Sequence, residues 1–178
     1  MVIKFILLAL LVFLFVVCQI SCSFLPTAVS CVFILMMVLL FYEIFKGKNF
    51  SNFQPKHAFF AAIIGGFLLD AYSIFPPGLF LLSLLATLYI CCHFVLLRFD
   101  LSGFLGVFIS AAISVLIYQI LILFLSYLYY FIGLSDVRIV FDKFYFTNLI
   151  GFLFFNSLLI VLVFQGIINP IFLRHKKR

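Results

Sequence analysis

The chain has 178 residues, of which 68% are hydrophobic and 9% charged, with a net charge of +6 and a mean hydropathy of +1.43. That leaves too little polar surface to coat a soluble globule, so composition predicts an integral membrane protein with no room for a separate soluble domain. Apolar runs recur near the roughly 20 residues a helix needs to cross about 30 Å of hydrocarbon, and no period-2 alternation suggests a barrel.

Six helical spans are expected, over residues 5–25, 28–45, 58–75, 79–97, 103–132 and 145–172, forming one all-α membrane domain over 1–178. In the first, Lys4 precedes an apolar run that ends in Ser21-Cys22-Ser23. The run exceeds the 7 to 15 residues usual for a signal h-region and another span follows at once, so it reads as a retained helix. Gln19 stands where a lipoprotein signal before Cys22 wants an aliphatic residue. Pro26 then breaks the helix. The second span ends near Glu43, and Lys46 one turn later is its expected ion-pair partner.

The third span carries the most telling residues, Gly65-Gly66-Phe67-Leu68-Leu69-Asp70-Ala71-Tyr72-Ser73-Ile74-Phe75-Pro76-Pro77-Gly78. A carboxyl within a membrane span costs about 2.5 to 3.5 kcal/mol on insertion scales, so it marks a packed polar site. Ala58, Ala62, Gly66 and Asp70 recur every four residues and form one ridge, broadened by Ala61 and Gly65. Small residues let helix backbones approach in lipid, so this ridge, with Asp70, is expected to face protein. Pro76-Pro77-Gly78 ends the span as a turn.

The fourth span contains Cys91, Cys92 and His93. With Cys18, Cys22 and Cys31 these cysteines have no His or acidic cluster at ligand spacing, so they read as small hydrophobes and no metal or other cofactor is expected. His93 reads as a packing residue. In the fifth span Gly106, Ser110 and Ser114 repeat at four-residue spacing and lead to Tyr118 and Gln119, a small face expected to pack against the third span. Helical rise puts Gln19, Asp70 and Gln119 in the outer half of the bilayer, as a polar cluster that either satisfies the carboxyl or receives a partner or ligand. The outer loop mixes Asp136 and Asp142 with Arg138 and Lys143, flanked by Tyr127, Tyr129, Tyr130 and Tyr145 as an interfacial belt.

After the sixth span comes a basic tail over 174–178, in which Arg174, Lys176, Lys177 and Arg178 are expected to meet anionic lipid headgroups. Six crossings put both termini on one side, together with Lys4, Lys46, Lys48, Lys56 and Arg98, and leave Arg138 and Lys143 opposite. The bias predicts cytoplasmic termini. No paired acids, no nucleophile beside a base and no metal cluster stands near one interface, so no catalytic residue is assigned and the chain is not expected to be an enzyme. No nucleic-acid partner is expected.

The segment 66–79 resembles the central signature of the MreD family of bacterial rod shape-determining membrane proteins, with Asp70, Ser73, Pro76 and Gly78 at matching spacing. The end of the first span, Gln19-Ile20-Ser21-Cys22-Ser23-Phe24-Leu25-Pro26, is similar to the Gln, Ser, Leu-Pro ending common there in the family. Ile74 and Phe75 stand where the family has small residues, and Pro77 where it has Leu. The resemblance implies a non-enzymatic component of the cell-wall elongation machinery in the bacterial inner membrane. It would associate with a bitopic MreC-type partner and, through it, with the MreB cytoskeleton and peptidoglycan synthases. Such proteins resemble the substrate-binding subunit fold of energy-coupling-factor transporters, which makes a vitamin-binding transporter subunit the alternative. Those subunits carry an alanine-rich docking surface on the first span, whereas this span is Leu, Phe and Val with Ala9 as its one alanine.

Overall fold

The computed structural model describes residues 2–21, 30–46, 55–95, 103–136 and 143–168. Among the described residues the chain is all-α, with six helices: α1 Val2–Ser21, α2 Cys31–Lys46, α3 Lys56–Tyr72, α4 Leu79–Ile90, α5 Phe104–Ile132 and α6 Lys143–Val163. α4 and α6 each close in a wider π-helical turn, Cys91–Val95 and Phe164–Ile168. The stretches Phe104–Ile132 and Phe146–Gly166 are long and apolar enough to cross a membrane, while Ile6–Val17, Cys31–Ile44 and Leu79–Phe94 are shorter apolar helices.

Helix α2 is apolar on every side, and Val32 through Val38 are all buried, so it lies inside the bundle. Its neighbours are α1, α3 and α6. α3 in turn packs on α1, α2 and α4, and the chain of contacts closes through α4 with α5, α5 with α6, and α6 back to α2. Ser30 meets Asn156 at one end of α2, and Phe41 packs edge-on against Phe164 toward the other, so α2 and α6 run parallel. Large apolar side chains cover the outside as well: Leu7, Phe67, Ile120, Phe124 and Ile150 are all exposed.

The elements depart from expectation in ways the backbone explains. α3 stops at Tyr72 rather than reaching 75. Pro76 disfavours helical geometry at Phe75, and Ser73 turns extended, with φ −93° and ψ 157°. The small face of α5 was expected against the third span, but its principal neighbours are α4 and α6. Cys91, in the turn that closes α4, reaches that face, its thiol donating to the Ser114 hydroxyl at 3.1 Å. α6 starts two residues before the expected span, at Lys143. Its predicted end at 172 and the basic tail Arg174, Lys176, Lys177 and Arg178 lie outside the described residues.

Candidate functional site

The first N–H groups of a helix have no partner inside the helix, and in an apolar surround water does not supply one. The usual remedy is an oxygen on the N-cap side chain. The N-cap of α4 is Gly78, which has no side chain and sits at φ +93°, ψ −10°. Asp70 of the preceding helix supplies what is missing. One carboxyl oxygen accepts the Phe80 N–H at 2.8 Å and the other the Leu81 N–H at 3.1 Å. The Leu79 N–H turns back to the Pro76 carbonyl at 3.3 Å, and the Leu82 N–H meets the Gly78 carbonyl at 2.9 Å. The first turn of α4 is thereby complete.

Each neighbour of Asp70 in the motif has a part in that arrangement. A Cβ on Gly66 would stand 2.6 Å from the Leu81 Cα and 3.1 Å from its nitrogen, so this glycine is what lets α4 come close enough for the carboxyl one turn later to reach the backbone. Pro76, Pro77, Gly78 and Leu79 form a turn of type II character, with Gly at the position that requires positive φ and Pro before it. The Ser73 hydroxyl bonds back to the Asp70 carbonyl at 3.2 Å and to the Phe75 carbonyl at 3.4 Å. Phe75 and Phe80 meet edge-on across the turn, with ring centroids 6.1 Å apart. From α5 the Tyr129 hydroxyl rests over Gly78, 3.2 Å from where a Cβ would be.

The same device recurs at the other end of α3, where the N-cap is Pro55 and offers no side-chain acceptor. Glu43 of α2 accepts the His57 N–H at 2.8 Å with one oxygen and the Ala58 N–H at 3.3 Å with the other. It also binds the His57 ring Nδ1 at 2.6 Å. The Lys46 side chain, the partner expected for Glu43, lies outside the described residues; two backbone N–H groups at the positive end of a helix hold a carboxylate well. A third helix start is held across the bundle too, since the Ser30 N–H before α2 donates to the Asn156 side-chain oxygen at 2.9 Å. The Asn156 amide nitrogen is anchored on the Phe152 carbonyl at 2.7 Å.

The structure divides the small ridge between two faces. Ala58, Ala62 and Gly66 are buried on the line that ends at Asp70. A Cβ on Gly65 would run into Val32 of α2 and stand 3.5 Å from Val12 of α1. Gly106, Ser110 and Ser114 lie together on α5, where the Ser110 hydroxyl bonds to the Gly106 carbonyl at 2.8 Å and Ser114 to the Ser110 carbonyl at 2.7 Å. Of the expected cluster of Gln19, Asp70 and Gln119, the Asp70 carboxyl is bonded to backbone N–H groups and the Gln19 side chain lies outside the described residues. Tyr118 of α5 is fully buried and stacks on Phe33 of α2, with ring centroids 4.7 Å apart.

Three features escaped the sequence reading. The Glu43 cap was signalled by a proline at the N-cap with an acid on the helix before it. Ser83, Thr87 and Cys91 recur at four-residue spacing along α4 and into its closing turn and are all buried, with Ser83 bonded to the Leu79 carbonyl at 2.7 Å and Thr87 to the Ser83 carbonyl at 2.6 Å. That spacing is plain in the sequence and mirrors the serines of α5. The Ser30 and Asn156 bond joins residues 126 positions apart and had no local signal. His93 bonds through Nδ1 to the Tyr89 carbonyl at 3.0 Å and lies against the Tyr89 ring. Among the described residues no group of three or more His, Cys, Asp or Glu is placed to hold a metal ion.

The arrangement can therefore hold helix ends to one another, with both oxygens of each carboxyl accepting backbone N–H groups and Glu43 also meeting the His57 ring. No protein-family model, curated protein or solved structure matches the chain.

Proposed function

We propose that this protein is a non-enzymatic scaffold of the cell-wall elongation machinery, set in the bacterial inner membrane by six spans with both termini in the cytoplasm. The observation that carries the reading is that Gly66, Asp70, Ser73, Pro76 and Gly78, the residues of the MreD-like signature, form one contiguous junction between α3 and α4. Both oxygens of the only acid in that signature bond to backbone, which suits a scaffold whose shape is its function better than a site that captures a small ligand. The membrane setting is supported by the apolar exterior, since exposed Phe, Leu and Ile cover helix faces that a soluble protein would give to charge. The partner implied by the resemblance is a bitopic MreC-type protein, with the MreB cytoskeleton and the synthases reached through it, and bilayer lipids around the spans.

The test is removal of the gene from a rod-shaped host, with complementation by the wild type and by Asp70→Leu. Loss of rod shape restored by the wild type alone, together with recovery of a bitopic partner on the tagged wild-type protein, is the expected result. Normal rods after removal, with no second copy present, overturn the proposal. A purified protein that retains a vitamin at micromolar affinity favours the transporter subunit instead. A reporter fused after Arg178 is expected to read as cytoplasmic and one near Ser135 as periplasmic; the reverse pattern overturns the cytoplasmic placement of the termini, and the same side for both breaks the six-span arrangement.

A further inference from the structure

We draw no further inference here: the strongest candidate, the apolar cap of Tyr72, Ile74, Phe131, Ile132 and Leu134 exposed at the end of the bundle that carries the Asp70 turn, has nothing in the structure to show what covers it.

Discussion

Asp70 and Glu43 hold the two junctions of α3 in the same way, yet the junctions differ in how much of the fold leans on them. In both, an acid near the C-terminal end of one helix accepts the second and third N–H of the next. An acid is disfavoured where it starts and favoured where it reaches, because helix dipoles are negative at the C-terminus and positive at the N-terminus. Along α3 the capped His57 N–H and Asp70 are 13 residues apart, about 20 Å. At the Asp70 end the turn spans residues 73–78, α4 lies directly on Gly66, and a positive φ is required at Gly78. At the Glu43 end an imidazole shares the carboxylate, and the His57 side chain is 45% exposed. A cap backed by a close backbone contact has few ways to relax when it is lost. A cap with a half-exposed partner has water or headgroups at hand.

The steepest way to sharpen that contrast is Gly66→Leu. Its Cβ alone meets the backbone of Leu81, which no rotamer change relieves, so the expected cost exceeds the roughly 1 to 3 kcal/mol of ordinary overpacking and folded protein is lost. Phe67→Leu, on the exposed neighbour, is expected to leave yield and melting temperature in detergent near the wild-type values. Equal yields for the two would mean that α4 does not rest on Gly66.

Asp70→Leu is next. It strips two N–H groups of their acceptor, at about 1 to 3 kcal/mol each when they stay buried. Asp70→Asn keeps one acceptor oxygen but turns an NH2 toward the second N–H, so roughly half of that loss is expected. Thermal unfolding of the two variants beside the wild type checks the ranking. An Asn variant as stable as the wild type would show that one bond is enough.

Gly78→Ala follows, at about 1 to 2 kcal/mol for left-handed backbone, with an added contact to the Tyr129 hydroxyl. Combining it with Tyr129→Phe removes that oxygen and is expected to restore part of the loss. No recovery in the double variant would assign the whole effect to backbone strain.

The smallest effect is expected from Glu43→Gln, near 1 kcal/mol as for an ordinary helix cap. Amide exchange at His57 and Ala58 is the direct readout, with faster exchange there and little change at Phe80 and Leu81. Faster exchange at Phe80 and Leu81 as well would mean that the two ends of α3 open together.

Much of the fold was legible because it follows from local pattern. Apolar runs of near-span length mark six helices, and Pro26 and Pro76-Pro77-Gly78 mark breaks between them. The ridge of Ala58, Ala62, Gly66 and Asp70 was legible for the same reason, since spacing of four on a helix places residues on one side whatever lies opposite. What lies opposite was not. Gly106, Ser110 and Ser114 form a small face by spacing alone, but a small face fits any close neighbour, and in the structure Ser114 meets Cys91.

The sequence by itself determined that an acid within an apolar helix must be satisfied, since burying it unpaired costs more than one interaction returns. Only the tertiary structure decided by what. Side-chain reasoning looked to Gln19 and Gln119, because amides at similar depth are visible in a sequence. The unpaired N–H groups of a helix whose N-cap is Gly78 or Pro55 are carried by no particular side chain, and they become partners for Asp70 and Glu43 only once the next helix has folded back beside the last. A backbone donor is present at every residue except proline. Which ones are left over is a property of where helices begin and how their ends meet.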